Sequence, residues 1–464
     1  MPLIIKTAGV TIYGSYVLLA SLLGFLFGIS SLGVGFRCRR LLPATCGKED
    51  RRTLFYPQLF FQGAVLSFLI LLFVLLGTDI KEVFLKNKVN FSLLPCCLYL
   101  LAYMLYSQTA EYFRYTNRIK NSMIQIVIGT YIPVGIILGT YFFFRIINVN
   151  ILIISETASA ALVAIPIAFI ILRETGFSLS VFNFNGIIRD IKLGFPLVIS
   201  YVVDTVLGVS DRYLLALFLT VTDIGYYNPG YAVGALIAFV PRAFGMVLPQ
   251  FLSRSVDAGR EEEARAMLNY ALKGFLLLAI PFIVGASALS KPLLNLLGNE
   301  VVAQKAFLVT PFVATGMLFY GLYITLSNVL FVRMKTGAML RMNAIVAFLS
   351  LTLNCILLYF FRSILMTAIT ALISFFVVFI LMLRVVRKEW RVDFDVRAIL
   401  KSVISALVMG GVLYWMSQLE VLGAQMFLNI LGNIVIGVVV YLSMLFALKA
   451  FSQKELLFIR RLFA

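Results

Sequence analysis

Ionisable side chains set within long apolar stretches are the first positions in this sequence that could do chemistry. Taking a charge out of water is costly, so such groups mark candidate binding or transport positions. Asp204 lies ten residues beyond Gly194 in an apolar stretch, about 15 Å along a helix at 1.5 Å per residue. Asp211 follows seven residues later, two turns along the same face, with Arg212 adjacent. That face either lines a cavity used by a charged or polar ligand or holds a structural Asp–Arg pair. Arg242 sits deep in another apolar stretch, between Pro241 and Gly245 and ahead of Pro249. Prolines there free backbone groups, which are tolerated in a membrane where they face a cavity. The planar guanidinium fork fits phosphate or carboxylate oxygens; the other reading is a long side chain snorkelling to the headgroups.

Weaker candidates surround these. Lys273 is one turn into its own apolar stretch, where snorkelling competes with ligand binding. Arg114 stands three residues after Glu111 at the end of a stretch, as a surface pair or part of a gate. Arg37, Arg39 and Arg40 form a basic cluster suited to anionic headgroups or to an incoming anionic ligand. Glu156 lies near the boundary of its stretch and is expected to be solvated. Asn328, Asn343 and Asn354 suit interhelical hydrogen bonds or cavity positions equally. With no histidine in the chain, the commonest metal ligand and near-neutral acid/base group is missing. No catalytic residue, metal or cofactor is expected, and no G-x-x-x-x-G-K-[ST] loop is present to use ATP directly.

The elements that must position these residues follow from composition. Hydrophobic residues make up 61% of the 464 and charged residues 13%, well outside the range of soluble domains. Lipid is the expected solvent, and helices of about 20 apolar residues are the expected spanning element. Thirteen such stretches can be read. The first seven run near 11 to 34, 58 to 77, 91 to 110, 122 to 146, 152 to 172, 194 to 218 and 226 to 252. The other six run near 268 to 289, 306 to 331, 342 to 361, 363 to 383, 399 to 417 and 427 to 448. The net charge of +18 is scattered through the connecting loops, which argues for membrane topology and against a nucleic-acid partner. Of the 39 Lys and Arg, 28 fall in one alternate set of loops and nine in the other, with Arg242 and Lys273 inside spans. The positive-inside rule then puts the C-terminus in the cytoplasm and Met1 outside, in the inner cell membrane. Of five cysteines, Cys38 and Cys46 lie in a basic loop and Cys96, Cys97 and Cys355 in apolar stretches, so no disulfide framework is implied.

The chain also repeats itself. The run from Val10 through Gly14 to Tyr16 returns in outline 211 residues later, from Val221 through Gly225 to Tyr227. The charged loop Gly47–Arg52 returns as Gly259–Arg265. Six spans separate the copies, so they share one orientation, as in transporters with parallel repeats. Shifting the span that precedes the second copy back by 211 places its partner before Met1, so the first half is expected to lack its opening helix. The expected organisation is a five-span N-terminal lobe over 1–173, a cytoplasmic linker over 174–193, a six-span C-terminal lobe over 194–384, and a loop with two further spans over 385–464.

Several stretches, read in order, resemble the polysaccharide transporter, or oligosaccharide-lipid flippase, family of the multidrug/oligosaccharidyl-lipid/polysaccharide exporter superfamily. They are Pro2–Ile5 leading to Tyr13–Tyr16, Ser31–Val34, Arg40–Pro43, Gly194–Leu197, Ser210–Leu215, Ile224–Tyr227 and Phe239–Arg242. The resemblance implies an all-α membrane fold of two six-helix lobes around a central cavity, plus two C-terminal helices. It implies transport of a polyprenyl-diphosphate-linked oligosaccharide, of O-antigen type, to the outer leaflet by alternating access, driven by an ion gradient or the membrane potential. The implied partners are that lipid-linked substrate, membrane lipid, a coupling proton or sodium ion and other polysaccharide-assembly proteins. Arg242 would meet the diphosphate, with Arg212, Asp204, Asp211, Lys273, Arg40, Arg37 and Arg114 as further substrate contacts. A multidrug exporter of the same superfamily would share the fold but favour an apolar or acidic cavity. A membrane glycosyltransferase or polymerase would need carboxylates on larger outer loops than this chain has.

Overall fold

The computed structural model describes residues 1–31, 38, 42, 47–77, 91–116, 118–176, 208–333, 335–419 and 426–450. Among them every regular element is helical, as lipid requires, because a helix satisfies its own backbone hydrogen bonds. Eleven of these helices are long and apolar enough to cross a membrane.

The chain divides into two compact units, Leu3–Gly225 and Tyr226–Ala464, the second also taking in Met1–Pro2. The first contains α1 (Pro2–Ala8), α2 (Val10–Ser30), α3 (Lys48–Leu75), α4 (Leu93–Tyr115), α5 (Ile119–Phe144) and α6 (Val149–Thr175). Here α4 and α6 pack most extensively, α5 lies against both, and α2 and α3 complete the bundle. Residues 208–218 are also helical; the rest of the expected span near 194 to 218, and most of the expected linker over 174–193, lie outside the described residues.

The stretch near 226 to 252 is not one apolar helix. It divides into α7 (Val221–Gly234), a 3-10 turn (Ala235–Ala238) and α8 (Phe239–Asp257). Proline explains part of this, because Pro241 in the first turn of α8 has no N–H to give the carbonyl of Ile237 in the 3-10 turn. Pro249 lies inside α8 and has no N–H to give the carbonyl of Gly245, one turn earlier. An average over hydropathy passes across such interruptions without registering them.

The second unit continues with α9 (Glu261–Ala288), α10 (Ser290–Leu297), α11 (Glu300–Ala306), α12 (Val309–Val332), α13 (Thr336–Phe361), α14 (Ile364–Val386), α15 (Val396–Leu419) and α16 (Met426–Ala447). Its centre is α12, which packs on α8, α9 and α14. Two-thirds of the apolar window of α12 is buried, against about a tenth in α5 of the first unit. The last two helices pair with each other and dock on α9. Tyr441 of α16 ties this joint, donating to the Leu277 carbonyl at 2.7 Å and bonding Ser402 at 2.8 Å.

The internal repeat has a physical counterpart in the first unit, where the two copies of the motif meet. A methyl on Gly14 would lie 2.1 Å from the Val221 carbonyl oxygen, and one on Gly225 would lie 2.2 Å from the Val10 carbonyl oxygen. Thr11 and Thr222, also equivalent, share a hydrogen bond of 3.0 Å. Glycine lets the two backbones touch, the usual basis of close helix packing in lipid.

Further likenesses between the two units appear at an offset of 217 residues. Helices α5 and α13 are both 26 residues long. Each ends on an arginine in the left-handed conformation, Arg145 and Arg362, 217 residues apart. At the same offset the stacked rings of Tyr103 and Tyr106 match those of Tyr320 and Tyr323. The Arg118–Glu174 ion pair of one unit has its counterpart in Lys335–Glu389 of the other.

Candidate functional site

Helix α8 carries the most distinctive surface of the second unit. Gly245, Pro249 and Ser253 recur at helical spacing and line a cavity of about 650 Å³ with Arg254, with Ser327, Asn328 and Phe331 of α12, and with Met339 of α13. Arg242 lies one turn before Gly245 and is exposed. Gly245, whose carbonyl receives no N–H from Pro249, belongs to this wall. Asn328 spends its amide hydrogens on its own helix, donating to the Ile324 and Thr325 carbonyls at 3.1 and 3.0 Å.

The charge of this surface is positive. Among the described residues neither Arg242 nor Arg254 forms an ion pair. The nearby carboxylate of Glu261 is already held by Arg265, at 3.0 Å, and by Arg333. Twelve residues separate Arg242 from Arg254, about 18 Å along the helix axis. The two cations differ by about 120° around the helix, so Arg254 faces the cavity while the long side chain of Arg242 flanks it, and the pair can take an anionic group followed by hydroxyls from Ser253 and Ser327.

A second cavity, of about 420 Å³, lies inside the first unit. Its walls come from α4 (Tyr103, Tyr106, Ser107, Ala110, Arg114), α5 (Ile126, Gly129, Thr130) and α6 (Glu156, Ser159, Ala160). Gly129 leaves room for the Tyr106 ring end, since a methyl there would lie 2.5 Å from the Tyr106 hydroxyl. Ser159 donates to the Gly129 carbonyl at 2.8 Å. Glu156 is half-buried and accepts a hydrogen bond of 3.1 Å from Tyr16 of α2. The expectation of a solvated boundary carboxylate therefore gives way to one on a cavity wall.

The other expected site residues fall in separate places. Asp204, Arg37 and Arg40 lie outside the described residues. Asp211 is buried, and Arg212 donates to the Gly208 carbonyl at 2.6 Å. Arg114 does not pair with Glu111 and instead lines the first-unit cavity. Lys273 reaches Asp395 at 2.9 Å, and Asp395 also accepts from the Ala398 N–H at 3.0 Å, capping α15. The Lys273 ammonium, followed by that N–H, holds the Asp395 carboxyl below the usual carboxylate range. Asn343 accepts from the Tyr323 hydroxyl, and Asn354 is fully buried.

Two cavity residues were missed by sequence reasoning. Arg254 was grouped with loop cations, although α8 runs on to Asp257; its signal was the Gly245, Pro249, Ser253 spacing after Arg242. Glu156 is visible in the sequence only as a boundary carboxylate; its place on the cavity wall has no local signal, because its partner Tyr16 is 140 residues away.

The membrane-crossing helical fold is shared with solved transporters. The chain is similar to the lipid II flippase MurJ in an inward closed conformation, with a TM-score of 0.72 at 17% identity over 100% of this chain and 96% of that one. It is also similar to an inward-facing multidrug resistance MATE family transporter of the MOP superfamily, with a TM-score of 0.68 at 12% identity, covering 84% and 92%. A mutant form of the Vibrio cholerae MATE transporter VcmN matches with a TM-score of 0.54 at 13% identity, covering 82% and 95%. No curated protein matches in sequence. The sequence profile of the polysaccharide biosynthesis protein family matches residues 1–251, more than half of the chain, and the protein belongs to that family.

Proposed function

We propose that this protein moves a polyprenyl-diphosphate-linked oligosaccharide from the cytoplasmic to the outer leaflet of the inner cell membrane for polysaccharide assembly. The observation that carries this reading is the two arginines of α8, Arg254 on the wall of a cavity with polar groups and Arg242 one turn before Gly245 of that wall, in a member of a polysaccharide biosynthesis family. A diphosphate is doubly anionic and suits guanidinium forks; the serines suit sugar hydroxyls. The same arginines disfavour export of organic cations, which they would repel.

In the proposed cycle the headgroup enters from the cytoplasm, its diphosphate binds Arg242 and then Arg254, and the prenyl chain stays in lipid. Rocking of two parallel-repeat lobes, with the last two helices as an addition, releases the saccharide outside. An ion gradient or the membrane potential, worth about 2.3 kcal/mol per charge at 100 mV, supplies the drive. Complementation of a flippase-deficient strain tests the reading by scoring surface glycan and accumulated lipid-linked precursor. Restored glycan with cleared precursor is expected. A well-expressed protein that restores neither, across strains differing in their repeat unit, would overturn it.

A further inference from the structure

We propose that Glu156 is the site where a coupling proton binds during transport. The inference rests on the transport reading above and adds the location of its energy coupling. Glu156 lies in α6, eight residues into a membrane-crossing helix, and lines the first-unit cavity. Among the described residues it forms no ion pair and accepts one hydrogen bond, from the Tyr16 hydroxyl at 3.1 Å. An ionised carboxylate in such a place needs a countercharge or several donors, and among the described residues this one has neither.

The groups that face it make the case. From α2 come Tyr16 and, close by, Tyr13; from α4 come Tyr99, Tyr103 and Tyr106. The cavity residues of α5 are Ile126, Gly129 and Thr130, none of which titrates. The cation on the cavity wall, Arg114, is eleven residues beyond Tyr103, about 16 Å along α4. Glu156 is the one carboxylate on this cavity wall, and among the described residues no three His, Cys, Asp or Glu side chains gather to hold a metal ion. A proton needs only that one carboxylate.

The step is a simple transfer. A proton from water at one face forms an O–H bond on a Glu156 carboxylate oxygen, neutralising it. At the other face that bond breaks and the proton returns to water. Neutralisation weakens the Tyr16 hydrogen bond, because a bond to a charged acceptor is roughly twice as strong as one to a neutral acceptor. Tyr16 is two residues from Gly14, where α2 meets its repeat copy at Val221 and Gly225. Proton occupancy therefore acts on the helix at that crossing.

The full-length protein, purified and reconstituted in phosphatidylethanolamine and phosphatidylglycerol liposomes, provides the test. Infrared difference spectra across a pH series should show a carboxylic C=O band that is missing in Glu156→Gln and whose midpoint moves in Tyr16→Phe. Flipping of a fluorescent polyprenyl-diphosphate oligosaccharide should rise several-fold under an imposed pH gradient. Glu156→Asp should keep that response and Glu156→Gln should lose it. Identical spectra for wild type and Glu156→Gln, or an intact gradient response in Glu156→Gln, would overturn the proposal. A band assigned to Glu156 in a protein that flips no lipid-linked saccharide would support the proton site and sink the substrate reading.

Discussion

Replacing Gly14 by alanine puts one methyl group into the crossing of the two repeat copies. The new carbon would lie 2.1 Å from the Val221 carbonyl oxygen and 2.9 Å from the Gly225 nitrogen. An unstrained carbon–oxygen contact needs roughly 3.3 Å, so the backbones must part by about 1 Å. Overpacking of this kind costs about 1–3 kcal/mol. The Thr11–Thr222 hydrogen bond, 3.0 Å long, would be stretched by the same movement. Gly24→Ala is the matched control, since it lies in the same helix and a methyl there meets nothing within 4 Å. Both changes gain the same helix propensity, up to about 1 kcal/mol, so their difference isolates the clash. The assay is the midpoint for loss of the monodisperse peak on size-exclusion chromatography, after heating purified protein in detergent. Gly14→Ala should melt below wild type and Gly24→Ala at or above it. Gly225→Ala should resemble Gly14→Ala, its methyl being 2.2 Å from the Val10 carbonyl oxygen. The double variant should cost less than the sum of the two, because one separation accommodates both methyls. Equal melting of Gly14→Ala and Gly24→Ala would refute the reasoning.

The remaining predictions concern charge. Arg242→Lys should retain partial flipping and Arg242→Ala almost none at normal abundance, because Lys keeps the charge and loses the two-pronged geometry; wild-type transport by Arg242→Ala would move the binding role to Arg254. Asp395→Asn should lower thermal stability near neutral pH, with the gap to wild type closing in acid. Asp395 is held below its ordinary range by Lys273, so its contribution is present above the unfolded-state value and fades as pH falls through the folded-state value. A gap that stays constant from neutral to acid pH would count against the Lys273–Asp395 tie. In a cysteine-free background, a cysteine at Glu262 should be labelled from the cytoplasmic face and one at Asn148 from the outer face. Labelling of both from one side would overturn the orientation drawn from the Lys and Arg distribution.

Much of the fold was legible without coordinates. Hydropathy is a property of each segment alone, so composition and periodicity found the apolar stretches that became α2 to α6 and α9 and α12 to α16. The likeness between the motifs around Gly14 and Gly225 is legible for the same reason, being a matter of local sequence. Charge inside an apolar stretch likewise singled out Arg242. What only the tertiary structure decided is which faces meet. Helix rotation and packing are set by contacts between distant segments, and these leave no local signature. They turn Lys273 onto Asp395 across 122 residues and bring Tyr16 to Glu156 across 140. They also press Gly14 and Gly225 of the two repeat copies against one another. Arg254 shows the boundary between the two kinds of information. Its charge was visible, but its place on the cavity wall depends on α8 running through to Asp257 and on α12 and α13 closing the opposite side.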